Sequence, residues 1–423
     1  MELKGLSFVE MQFVDIHGKL REIDITPERF EESFTQGKVF DGSSVGMAPI
    51  EDSDLILKPI QKTFFRLPWN NKGARVLCDI FKANKSMEEH ELSPRFILKK
   101  QLKKAEERGY RFFTAVENEF FLLKDGNLLD NASYFYPTPT DKTKKFREES
   151  FETLKKLGIE VEYMHHEVAP GQGEITLKVE EALKMADNTV TFRYIAQNIA
   201  SKEGLVFTLI PKLKPGINGS GMHIHFSLTD LKGENVFYSK DDKFKISKIA
   251  KNFAAGILEH FKALAGIVAP SINSRKRLVP GYEAPINKAW GPKNRSALIR
   301  IPPFFSKKSA RIEFRMPDST CNPYLAFASL LACGLEGIEK ELDPGEACLE
   351  NTYESSKFES IPGKQEEIIE ELKKDKTIKQ ALGKAFDVYI RIKEEELKDY
   401  KKQNPKWNPF EITNWELERY LQF

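Results

Sequence analysis

Three short segments of this chain alternate apolar side chains with groups that no apolar core accepts unpaired. In residues 222–227, His223, His225 and Ser227 share one face of an extended strand, while Met222, Ile224 and Phe226 share the other. Residues 311–315 repeat the pattern, with Arg311, Glu313 and Arg315 opposing Ile312 and Phe314. Glu117 and Glu119 also lie two apart, roughly 7 Å along one strand face. One such strand describes an ordinary half-exposed sheet. Three strands bearing acids, imidazoles and arginines constrain the fold further, because buried charge is tolerated only when paired or metal-bound.

The acids make a set suited to hard divalent cations. Glu117, Glu119, Glu167, Glu174 and Glu313 with His223 offer carboxylate oxygens and one imidazole, which favour magnesium or manganese over zinc or copper. Glu167 and Glu174 flank a Pro170-Gly171 turn that folds the chain back and brings them together. His165 and His166 are adjacent, so on a strand at most one faces the acids. Arg277, Arg295, Arg300, Arg311 and Arg315 add the residue best shaped to grip phosphate or carboxylate. Acidic ligands beside an arginine cluster indicate metal-assisted phosphoryl transfer. The Asn218–Gly221 glycine run is followed by a strand, so it is no Rossmann loop, and the chain holds no G-x-x-x-x-G-K-[ST] sequence.

With 423 residues the chain can build two domains. Short extended runs at 8–13, 20–25, 56–59, 64–67 and 74–80 predict a strand-rich start. Ser93-Pro94 predicts a helix start reaching about Gly109. We place the boundary there, giving residues 1–90 and 91–423. Helical periodicity marks 322–341, 365–374 and 378–396. A formal net charge of +2 gives no footprint for nucleic acid or an anionic membrane. An N-terminus without an uninterrupted apolar core and the lack of a spanning segment predict a cytoplasmic protein. Cys78, Cys321, Cys333 and Cys348 form no C-x-x-C pair and read as reduced thiols, Cys321 as a small residue opening a helix.

Longer motifs carry a family resemblance. D-G-S-S (41–44), E-N-E (117–119), H-H-E-V-A-P-G-Q-G-E-I (165–175) and N-G-S-G-M-H-I-H-F-S-L (218–228) resemble successive signatures of glutamine synthetase, type I. K-R-L-V-P-G-Y-E-A-P (276–285), N-R-S-A-L-I-R-I-P (294–302), R-I-E-F-R-M-P-D (311–318) and N-P-Y-L-A-F-A (322–328) complete the series in order. The resemblance implies an α+β fold, with a small β-grasp-like N-terminal domain and a larger catalytic domain whose curved antiparallel sheet is flanked by helices. It implies ATP-dependent ligation of ammonium to L-glutamate through γ-glutamyl phosphate, with two or more Mg2+ or Mn2+ ions per site.

Roles follow by resemblance. Glu119, Glu167 and Glu174 hold the metal facing glutamate; Glu117, His223 and Glu313 hold the one facing ATP. Arg277, Arg295 and Arg315 grip the substrate carboxylate and the transferring phosphoryl group. Arg300, Arg311, His225 and Ser227, with Glu162 a weaker match, lie on the nucleotide side. Asn218 and Gly219 match the glutamate loop, and Glu283 the flap that closes the site. Asp41, helped by Ser44, Tyr134 and Glu283, binds ammonium and takes its proton. The family assembles as a dodecamer of two hexameric rings with shared sites. The competing readings are ligation of a polyamine, ethanolamine or methylamine, and a non-catalytic structural or regulatory relative. Retention of Asp41, Ser44 and Tyr134 favours ammonia. The chain departs from the pattern in starting without the typical N-terminal helix. It also has no arginine after D-G-S-S, where one subgroup senses glutamine, and lacks the D-L-P-P-type context beside Tyr353, so resistance to glutamine feedback is expected.

Overall fold

The computed structural model describes residues 2–422. Strands β1 (Phe8–Val14) and β2 (Leu20–Ile25) form an antiparallel hairpin that buries Val9, Met11 and Phe13. Helix α1 (Pro27–Gln36) follows, with the Thr26 hydroxyl accepting from Arg29 N. Strands β3 (Lys38–Asp41), β4 (Asp54–Pro59), β5 (Phe65–Arg66) and β6 (Gly73–Lys82) complete a sheet ordered β2-β1-β6-β4-β3, with β5 on β6. Phe30 of α1 is fully buried against Phe34 and Phe64, sealing one face. Sequence periodicity did not disclose α1. Its start signal, Thr-Pro followed by Glu28, is of the kind recognised at Ser93-Pro94.

Ser93 caps α2 (Pro94–Glu107). Next come β7 (Tyr110–Lys124), β8 (Asn127–Leu128), α3 (Lys144–Lys156), β9 (Val161–His166), β10 (Gln172–Glu181), α4 (Ala182–Lys202), β11 (Val206–Thr208) and β12 (Met222–Asp230). Helices α5 (Lys248–Glu259), α6 (Phe261–Val268) and α7 (Ile272–Arg277) precede the short strands β13 (Trp290–Pro292), β14 (Ile299–Ile301) and β15 (Ile312–Phe314). Helices α8 (Pro323–Glu339), α9 (Gln365–Lys374), α10 (Lys376–Leu382), α11 (Ala385–Gln403) and α12 (Asn414–Tyr420) end the described chain.

The second sheet runs β13-β14-β15-β12-β7-β10-β9, with β8 and β11 both on β7. Its pairs are antiparallel except β13 with β14. Val116, Ile175, Ile224, Phe226 and Phe314 join the main core. Asn322 caps α8 by accepting from Tyr324 N. The expected helix over 378–396 is instead two helices, because Gly383 at φ 58 takes a conformation that ends α10.

Candidate active site

Sheet register assembles the site. Glu119 stands opposite Glu174, Glu117 opposite His223, and Glu313 opposite both His225 and Arg300. The face opposite the Val116–Ile224–Phe314 core therefore carries the acids and histidines across four neighbouring strands, β10, β7, β12 and β15. The β9–β10 turn closes as the Pro-Gly signal predicts: Glu167 N donates to Gln172 O at 2.9 Å. Gly171 sits at φ 64, where a Cβ would lie 3.0 Å from Leu129 N. Asp130 pins this turn, accepting from Gly171 N at 2.9 Å, from Lys142 N at 2.8 Å and from Ala132 N at 3.1 Å. His166 points inward to Asp130 at 3.1 Å, which leaves His165 facing the acids.

A cavity of about 620 Å³ collects Glu117, Glu119, Glu167, Glu174 and His223. Two groups bring donor atoms within 4.8 Å of one another: Glu117, His223 and Glu313, and His165, Glu167 and Glu174. Glu119 is adjacent, its Oε2 accepting from Gly221 N at 2.8 Å and its Oε1 3.7 Å from His223 Nδ1. Electrostatics divides the acids. Burial, then Glu119 and Glu174, holds the Glu167 carboxyl well above its ordinary range, and burial with Glu117 and Glu119 does the same to Glu174. Burial also works against ionised Glu117, but His225 and His223 outweigh it and hold that carboxyl well below. Burial opposes ionised Glu313 too, yet Arg315, His225 and Arg300 bring it down to about 2.

The arginines border the acids. Arg300 and Arg315 both pair with the fully buried Glu313. Arg277 is fixed by donating to Met316 O at 2.8 Å, and Arg295, whose carbonyl accepts from Arg315 Nε, lines the cavity. Asn218 and Gly219 pass closely: a Cβ on Gly219 would fall 2.2 Å from Pro211 O and 2.9 Å from Arg277 Cγ. Asn218 Nδ2 donates to Glu283 Oε2 at 3.3 Å across the mouth. Tyr134 also lines the cavity, its hydroxyl pushed up to about 12 by burial and then Glu167. Glu162, His225, Ser227 and Arg311 line a second cavity of about 220 Å³ floored by Phe226 and Val179. Arg311 Nε reaches His225 Nδ1 at 3.4 Å.

Asp41 and Ser44 stand apart from both linings. Asp41 is exposed and accepts from Ser43 N, Ser43 Oγ and Ser44 Oγ at 2.9, 2.6 and 2.5 Å, bonds that bring its carboxyl down to about 2. Sequence reasoning left five cavity residues unassigned: Phe135, Tyr163, Met164, His165 and Tyr282. His165 belongs to the second donor group, Tyr163 donates to Glu117 Oε1 at 2.7 Å, and Phe135 stacks on Tyr134 with ring centroids 3.8 Å apart. Alternation along β9 places Tyr163 and His165 on one face and was the signal available for both. The four cysteines are free and buried; burial pushes Cys321 up to about 12, and its carbonyl accepts from Arg193. The Tyr353 hydroxyl is buried without a hydrogen-bond partner. No helix among the described residues is long and apolar enough to cross a membrane.

Comparison with known proteins adds an independent line. The family model described as glutamine synthetase, catalytic domain, matches residues 91–420, and that described as glutamine synthetase, beta-Grasp domain, matches residues 5–83. The chain is 42% identical to a glutamine synthetase of Thermotoga maritima over 100% of this chain and 98% of that one. It is 44% identical to one of Pyrococcus woesei, covering 98% and 97%. Among solved structures it resembles a GmaS/ADP complex, with a TM-score of 0.89, 28% identity and coverage of 99% and 97%.

Proposed function

This chain belongs to the glutamine synthetase family, and from that premise we propose how its site makes glutamine. The reaction is ATP-dependent ligation of ammonia to the γ-carboxylate of L-glutamate through γ-glutamyl phosphate, releasing ADP and phosphate. One observation carries the assignment of parts: two acid-rich donor groups and four arginines converge on one cavity.

The donor sets fit divalent magnesium or manganese. Carboxylates with a histidine suit these ions, and burial together with the neighbouring carboxylates holds Glu167 and Glu174 above their ordinary range, a cost that a cation relieves. We assign Glu119, Glu167 and Glu174 to one ion and Glu117, His223 and Glu313 to the other. When bound, the ions supply charge neutralisation during phosphoryl transfer. Arg277, Arg295 and Arg315 hold the substrate carboxylate and the moving phosphoryl group in line. The second cavity, with His225, Ser227, Arg311 and Glu162, takes the nucleotide; Arg300, paired with Glu313 in the first cavity, is assigned to the nucleotide side as well. That a GmaS structure of this fold carries ADP supports a nucleotide as a ligand of the fold.

A free carboxylate is a poor electrophile, so phosphorylation must precede amide formation. Ammonium must then lose a proton to become a nucleophile. We assign this to Asp41, with Ser44, Tyr134 and Glu283. Because Asp41 lies off the cavity of its own chain, the reading includes sites shared between neighbouring subunits of a closed ring assembly, a dodecamer by family likeness. The buried free thiols suit a cytoplasmic setting. The test is glutamate-dependent product formation with ammonium against methylamine and putrescine at equal concentration. Ammonium should give far the higher rate with glutamine as product. A higher rate with either alkylamine would replace ammonia ligation with amine ligation.

A further inference from the structure

Lys212 stands between the two loops that enclose the glutamate end of the cavity. It is 4% exposed, and its Nζ donates to Ile217 O at 2.5 Å. The same Nζ lies 3.6 Å from the ring centroid of Tyr282, the closest cation–aromatic approach among the described residues. Ile217 immediately precedes Asn218-Gly219, and Tyr282 immediately precedes Glu283. Both Tyr282 and Glu283 line the cavity.

The flap needs such a tie. Gly281 takes φ 93, and Glu283, a residue with a Cβ, takes φ 56. A non-glycine residue in that region persists only when neighbours hold it there. The hydrogen bond from Asn218 to Glu283 is one such hold, at the mouth, and long at 3.3 Å. The ammonium on the aromatic face is the other, behind it and screened from water, where cation–π attraction is strongest. Lys212 has no carboxylate partner among the described residues, so the ring is its main counterpart. Burial and the nearby Arg277 bring its amine down to about 8.

We propose that Lys212 is a positioning residue that latches the 280–283 flap to the glutamate loop through the ring of Tyr282. The Ile217 carbonyl orients the Lys212 ammonium, and that ammonium holds Tyr282 and with it Glu283 over the site.

The latch rests on the ligase reading and has its own signature. With the flap open, water attacks the acyl carbon of γ-glutamyl phosphate; the carbon–oxygen bond to phosphate breaks, phosphate leaves and glutamate is regenerated. The quantity to measure is glutamine formed per phosphate released, together with phosphate release on glutamate and ATP without ammonium, in the assembled full-length enzyme. Lys212→Met keeps the aliphatic stem and removes the charge. It should raise ammonium-independent phosphate release about thirtyfold, the shift expected from losing one desolvated cation–π contact, and lower the ratio of glutamine to phosphate. Lys212→Arg restores a cation over the ring and should restore the ratio. Tyr282→Leu tests the other partner and should reproduce the uncoupling should Lys212→Met fail to fold. A wild-type ratio in Lys212→Met or Tyr282→Leu, or equal uncoupling in Lys212→Arg, overturns the latch. Absence of glutamine from the wild-type enzyme overturns the ligase reading instead.

Discussion

Adding one methyl group at Gly219 tests how closely the loop proposed to bind glutamate is fitted. The Cβ of Gly219→Ala would stand 2.2 Å from the Pro211 carbonyl oxygen, against a practical limit of 3.0 Å, so the backbone must yield by 3.0 − 2.2 = 0.8 Å. The neighbour is backbone and cannot rotate away. Pro211 O also accepts from Ser220 N at 2.8 Å, and Gly219 O accepts from Gln172 Nε2 at 3.1 Å, so the displacement reaches both ends of the loop. Gln172 in turn lies 3.4 Å from Glu119. A misplacement near 1 Å at a substrate-orienting group costs roughly 10²-fold in rate, and overpacking of this kind costs about 1–3 kcal/mol of stability. Steady-state glutamine formation with varied glutamate should show a fall in kcat/KM of roughly 10²-fold, with ADP binding unchanged. Gly363→Ala, where a Cβ meets nothing within 4 Å, serves as the control. Activity of Gly219→Ala within twofold of wild type would refute the fit.

Two further outcomes are expected. Asp41→Ala and Arg315→Ala should each be inactive, yet mixed assemblies should recover glutamine formation, because some neighbouring pairs combine an intact Asp41 with an intact Arg315; hybrids verified as mixed but inactive would show that each chain builds its site alone. Glu167 and Glu174 hold protons more tightly folded than unfolded, so the stability they contribute is present below their ordinary 4.5 and lost as pH rises through their folded values. Added Mg2+ should therefore raise the unfolding midpoint progressively more as pH rises above 4.5 and release protons on binding; calorimetry showing proton uptake would reverse that sign.

Much of the site was legible because strand alternation is local. Residues 222–227 and 311–315 could be assigned faces from spacing alone, and the turn at Pro170-Gly171 announced that Glu167 and Glu174 meet. What spacing cannot disclose is who stands opposite. Tyr163 reaches Glu117 only through β9, β10 and β7 in series, and Lys212 meets Tyr282 between loops without periodicity. The helix over Pro27–Gln36 was missed although Thr26-Pro27 gives it a start signal of the kind read at Ser93-Pro94, and Gly383 broke a helix whose amphipathic pattern continues past it. Asp41 carried its motif plainly, but nothing in the motif places it off its own chain's cavity.

The pairing of Glu117 with His223 joins residues 106 apart in sequence, and that of Glu117 with His225 spans 108. Contacts of such span are closed late, after the loop entropy between them has been lost. Sheet register also has no intermediate: slipping β12 by one residue on β7 would turn both histidines into the core. In kinetic terms this cluster of acids and histidines is a product of folding and cannot be its template. A divalent cation would slow unfolding of the finished sheet and leave the rate of reaching it unchanged.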